Sequence, residues 1–236
     1  MDMMPLDTEK EVLQRYGAAS QAREDALCCP VDYDPQFLKI IPQEIIERDY
    51  GCGDPSQFVR AGESVLDLGS GGGKICYIMS QIVGPEGKVT GVDFNPSMLE
   101  LAGKYRAEIA QRTGYDNVEF KYARIQDLRT DITAIEAWLA ANPVSSYAGL
   151  EALETYKKHQ ALHAPLIADA SVDVIVSNCV LNLVASEDKA ALFAEMFRVL
   201  KVGGRVAISD IVSDETVPPH MRKDPELWSG CISGAF

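Results

Sequence analysis

The sequence predicts an α/β chain, a doubly wound and mostly parallel sheet with helices on both faces. Three observations carry this. From residue 63 onward, short apolar and β-branched runs alternate with segments of helical period. Two of those runs end where such a sheet places its ligands: "SVLDLGSGGG" in a glycine loop and "KVTGVDFN" in an acid. The helix "PSMLELAGKYRAEIAQRTG" opens with proline and closes with glycine, the expected asymmetry of helix ends.

Residues 6–16 read as a short helix, followed by the turn-rich "YGAASQARED". Three prolines (Pro30, Pro35, Pro42) punctuate the next stretch, and "QEIIERDY" is a helix with Pro42 at or just before its start. "YGCGDP" is a loop in which Gly51 and Gly53 flank Cys52. Residues 1–60 form an N-terminal lid segment. "KICYIMSQIVG" is the first helix of the sheet, with Gly84 as its C-cap. "VEFKYARIQDL" is the third strand and its loop, and "VDVIVSNC" is the fourth strand. "SEDKAALFAEMFRVLKVGG" is a helix with Ser186 as N-cap, and "RVAISDIV" is the fifth strand. Two helical segments at 129–168 interrupt the rhythm and read as an inserted pair within a main domain of residues 61–212.

The composition excludes several classes. A net charge of −13 repels phosphate backbones, so nucleic acid is not an expected partner. No run of about 18 apolar residues is present, so nothing is expected to span a membrane. The N-terminus lacks the basic and apolar regions of a secretion signal, and a cytoplasmic protein is expected. In that compartment the six cysteines should not be a disulfide framework. No CxxC pair is present. His159 and His163 lie four apart on one helix face without an HExxH motif, and a solvated face is the expected role.

"VLDLGSGGGK" fails as a P-loop, because Leu68 and Ile75 stand where that motif needs glycine and a hydroxyl. It is weak as a dinucleotide fingerprint, because Lys74 holds the third glycine's place. An S-adenosylmethionine site fits better. That cofactor brings an ammonium that needs a carboxylate and a ribose whose hydroxyls need another. Asp67 suits the first, directly or by fixing the loop of Gly69, Ser70 and Gly71. Asp93, with Phe94 beside it, suits the ribose. The adenine is expected near Met98 and the Ile125–Gln126 turn, and Asn178 at the fourth strand end near the cofactor. A strand–helix turn without a ligand is the plainer alternative, and Asp93 counts against it.

Cys179 ends the fourth strand, where it faces the reaction space. Cys52 and Cys231 lie in loops that folding can bring to the same edge. Three thiolates there make a soft trigonal pocket for As(III), or for Zn(II) with a fourth ligand. The competing role for any one cysteine is a small buried hydrophobe, the expected role of Cys76.

In "RDYGCG", "VLDLGSGGGKICYIMSQIVGPEGKVTGVD", "VSNCVLNLV", "FRVLKVGGRVAISDI" and "LWSGCISGAF" the chain resembles the arsenite methyltransferases. The resemblance implies a Rossmann-like class I methyltransferase fold and transfer of methyl groups from S-adenosylmethionine to trivalent arsenic. The arsenic is delivered as a glutathione or other thiol conjugate and held by Cys52, Cys179 and Cys231. It implies a thiol reductant of glutathione or thioredoxin type, and a redox relay in which Cys28 or Cys29 takes part. It also implies a chain that continues past Phe236, so that residues 213–236 open an arsenic-binding C-terminal region, and a family without the 129–168 insertion. Two other readings stand beside this one: a related methyltransferase acting on another small molecule, and a non-catalytic metalloid-binding protein on the same fold.

Overall fold

The structure is a computed structural model that describes residues 7–27 and 31–235. The sheet comprises β1 (Ser64–Leu68), β2 (Lys88–Asp93), β3 (Val118–Tyr122), β4 (Val172–Asn178) and β5 (Leu200–Ser209). Its order is β3-β2-β1-β4-β5, with each pair parallel. All carboxyl ends therefore share one edge, and the strand order reverses between β1 and β4.

The helices in chain order are α1 (Thr8–Ala19), α2 (Pro35–Leu38), α3 (Gln43–Glu47), α4 (Lys74–Val83), α5 (Pro96–Lys104), α6 (Arg106–Thr113), α7 (Ile132–Ala141), α8 (Tyr147–His163), α9 (Lys189–Val199) and α10 (Pro225–Ser229). Alternate residues of β1 divide the core, as the strand period requires. Val65 joins Ile45, Tyr77 and Met79 on the α3–α4 face. Leu66 and Leu68 join Ile175, Leu192 and Met196 on the α9 face. Among the described residues, no helix is long and apolar enough to cross a membrane.

Four expected boundaries shift. Helix α1 runs on to Ala19 through the stretch read as turns, because Asp7 caps it and the chain stays helical past Gly17. The helix expected over 96–113 breaks at Tyr105, which has φ −105° and ψ 2°. Gly103 weakens the last turn of α5, and the Tyr105 hydroxyl turns to Glu44 of α3. Helix α9 starts at Lys189, not at Ser186. A turn closed by Asp188 N–H on the Ala185 carbonyl precedes it, and the Asp188 carboxylate accepts from Gln126 instead of capping. Strand β5 begins at Leu200, so "LKVGG" belongs to the strand, entered through an irregular register opposite Val172–Val174.

Candidate functional site

A cleft opens at the carboxyl edge, beside the reversal between β1 and β4. It encloses about 1100 Å³ including its mouth, enough for a nucleoside-sized ligand. Its floor is the glycine loop after β1. Gly69 has φ +74°, and a Cβ there would lie 2.4 Å from the Val180 side chain, so only glycine fits. Gly69 and Ser70 N–H both donate to the Val92 carbonyl, pinning the loop to β2. The Ser70 hydroxyl is buried without a partner among the described residues and lines the cleft.

Two carboxylates face this floor. Asp67 is 2% exposed, and its Oδ2 accepts from the Cys76 thiol at 3.2 Å. Burial pushes its carboxyl up to about 7; the thiol's hydrogen bond pulls down, and Asp93 and Asp49 push up. Asp93 ends β2. Its Oδ2 accepts from Gly71 N–H at 2.7 Å and its Oδ1 from Asn95 N–H at 2.8 Å. Burial raises its carboxyl too, against those backbone donors.

Helix α1 forms one wall through Val12, Leu13 and Tyr16. Glu9 at its start pairs with Arg124, whose guanidinium lies 4.3 Å over the Phe94 ring. Behind the glycine loop, Lys74 is buried, paired with Asp49 and 3.8 Å over the Tyr33 ring. The residue that spoils a dinucleotide fingerprint thus ties residues 33–49 to the loop.

Of the three candidate cysteines Cys179 lines the cleft, and the other two lie against it. Cys52 and Cys179 are joined by a disulfide, with Cα atoms 5.8 Å apart. The Cys231 thiol donates to the Cys179 carbonyl at 2.9 Å, and its sulfur lies 3.9 Å from the Tyr16 hydroxyl. Burial and the Cys231 sulfur push that hydroxyl well up. Cys179 and Cys231 both hold left-handed backbone, with φ 57° and 62°. Outside glycine that conformation costs about 1 kcal/mol each, and such strain concentrates at functional sites. The expectation of three thiolates is thus corrected in one respect: two of the three sulfurs are bonded to each other. No group of three His, Cys, Asp or Glu among the described residues is arranged to hold a metal ion. The six cysteines are not expected to form a disulfide framework; the fold brings this one pair, from distant parts of the chain, within bonding reach.

A sequence model of the family described as "Methyltransferase domain" matches residues 60–144 and 149–236. The arsenite methyltransferase of Aquipseudomonas alcaligenes is 35% identical over 234 residues, covering 96% of this chain and 57% of that protein. The arsenite methyltransferase of Halobacterium salinarum is 37% identical over 99% of this chain and 55% of that protein. The crystal structure of the arsenic(III) S-adenosylmethionine methyltransferase of Chlamydomonas reinhardtii matches with a TM-score of 0.62 and 31% identity, over 91% of this chain and 58% of that one.

This chain belongs to the family described as a methyltransferase domain. It spans just over half the length of these curated relatives. In this family member, every expected cofactor residue lines the one cleft: Asp67, Gly69, Ser70, Gly71, Asp93, Phe94, Met98, Ile125, Gln126 and Asn178. Asn178 differs in what its side chain does. Three of its hydrogen bonds go to the Cys52–Gly53 backbone, so besides lining the cleft it holds that loop at the strand end. Cys28 and Cys29 lie outside the described residues. Four contributors escape the sequence: Cys76 on Asp67, the Lys74–Asp49 pair, Asn182 under Cys231, and Tyr16 between the cleft and Cys231. "SNCVLN" carries the one available signal, a second asparagine three residues after the cysteine.

Proposed function

We propose that this chain binds S-adenosylmethionine in the cleft and holds trivalent arsenic on Cys52, Cys179 and Cys231, as the methyltransferase part of an arsenite-methylating enzyme. The observation that carries the reading is the meeting of Cys52 and Cys231, from distant parts of the chain, on Cys179, which lines a cleft floored by a glycine loop and two buried carboxylates. The residues fit the cofactor. The Ser70 hydroxyl, unpartnered among the described residues, supplies a hydrogen-bonding position, Asp67 suits an ammonium, and Asp93 suits ribose hydroxyls beside the backbone donors that hold it. When bound, the cofactor supplies an electrophilic methyl group on a sulfonium. The chain's part is to hold the acceptor and exclude water, with α1 as the covering lid. Positioning then carries the catalysis, because a trivalent arsenic on three thiolates keeps its lone pair.

The disulfide supports a need for a thiol reductant, since three thiolates form only once Cys52–Cys179 is reduced. The acidic composition, at a net charge of −13, favours a role on small molecules over nucleic acid.

Titration of the reduced chain with As(III), followed through Trp228, tests the site. That indole is buried, donates to the Leu183 carbonyl at 3.2 Å, and lies three residues before Cys231. Trp138→Phe removes the second indole as a control. The reduced chain should respond and the oxidised chain should not, while both bind S-adenosylmethionine. A longer form given As(III), thiol and labelled cofactor should yield methylated arsenic. Cofactor binding without product there would sink the reading.

A further inference from the structure

We infer that Asn178 and Asn182, the two amides flanking Cys179, are positioning residues that gather the other two cysteines onto it. This rests on the three-sulfur reading above and adds how the chain assembles that site. Asn178 is the last residue of β4. Its Oδ1 accepts from Cys52 N–H at 2.9 Å and Gly53 N–H at 3.1 Å, and its Nδ2 donates to the Gly53 carbonyl at 2.7 Å. The loop lies directly on the amide: a Cβ at Gly51 would come within 2.1 Å of Nδ2. Asn182 sits in the short 3₁₀ turn Leu181–Leu183 and is fully buried. Its Nδ2 donates to the Cys231 carbonyl at 3.2 Å and the Ile211 carbonyl at 2.7 Å. The opposite amide orientation would set an oxygen against two carbonyls, so the donors define it. The turn after Cys231 is laid over the Asn182 backbone, where a Cβ at Gly234 would meet the Asn182 oxygen at 1.9 Å.

Each amide thus holds a cysteine-bearing segment that comes from far away in sequence, and Asn182 also holds the Ile211 carbonyl. Between them Cys179 is itself fixed, its N–H on the Ser209 carbonyl at 2.7 Å. The hexapeptide "SNCVLN" is a template: one sulfur of its own, and one amide for each of the other two.

Alkylation by iodoacetamide, read peptide by peptide by mass spectrometry, tests this without arsenic or cofactor. Cys76, fully buried under the glycine loop, reports on the fold. In the reduced Asn182→Ala chain, Cys231 should label roughly tenfold faster while Cys76 stays protected. In Asn178→Ala, oxidised glutathione should close Cys52–Cys179 roughly tenfold more slowly, again with Cys76 protected. Asn182→Ser, which keeps a donor for one carbonyl, should fall between and serves if the alanine variant does not fold. Rates within about twofold of the parent in both, or Cys76 labelling in step with Cys231, would overturn the inference. The expected labelling in a parent chain that binds no As(III) would instead sink the functional reading and leave the template standing.

Discussion

A carboxylate withdrawn from water at the end of β1 sets how the cleft responds to pH. Asp67 is pushed up from 3.8 to about 7, burial first, with Asp93 and Asp49 adding like charge and the Cys76 thiol opposing. Between about pH 4 and pH 7 the folded chain then holds more protons than the unfolded one, so stability falls as pH rises through that window and levels above it. Asp93 and Asp210, also raised by burial, add slope of the same sign. Asp67→Asn should flatten the urea-unfolding stability between pH 4 and pH 7 without abolishing its slope. An ammonium-bearing cofactor needs the carboxylate, so S-adenosylmethionine affinity should rise between pH 6 and pH 8, by up to about tenfold per unit below the midpoint. Calorimetry checks both, and a pH-independent affinity in the parent chain would remove Asp67 from that role. The carboxylates and glycines of this floor were legible in the sequence because their order along the chain mirrors their place on a parallel sheet. Cys76 was not. Its helical context marks it as core, which it is, and nothing in "KICYIM" says which polar atom its thiol meets.

Helices and strands were legible where one face is buried and where proline or glycine marks an end. They were misread where a tertiary contact decides, as at Tyr105 with Glu44 and at Asp188 with Gln126. The same distinction sorts the ties that hold the N-terminal elements on the sheet. Lys74 and Asp49 are both largely withdrawn from water, with side chains 7% and 16% exposed. Asp49→Ala leaves a buried ammonium over the Tyr33 ring without its paired carboxylate, and should cost about 3 kcal/mol in urea unfolding. Glu9 and Arg124 are 38% and 43% exposed. Glu9→Ala should cost less than about 1 kcal/mol, yet it frees the start of α1 over the cleft and should speed cofactor release. Equal stability losses in the two variants would contradict the division between anchor and latch.

At the scale of the molecule, the helical pair α7–α8 stands apart from the machinery. Helix α7 buries no residue, and α8 buries only Gln160. The pair holds together by its own stack of Trp138 on Tyr156, with ring centroids 5.3 Å apart. Its ends meet at the sheet: Ile167 N–H donates to the Leu128 carbonyl at 2.9 Å, and Leu166 N–H to the Arg129 carbonyl at 3.0 Å. None of residues 129–168 lines the cleft. A chain whose excursion leaves and returns at adjacent points can lose it for little closure entropy. Replacing residues 131–164 by about four Gly and Ser residues, within the span of ordinary connections, should leave the β-sheet core intact. The affinity for S-adenosylmethionine should stay within about threefold and the As(III) response of Trp228 should persist, now free of the second indole. A loss of more than about tenfold in cofactor affinity would mean that α7–α8 reaches the cleft, against the contacts that the fold displays.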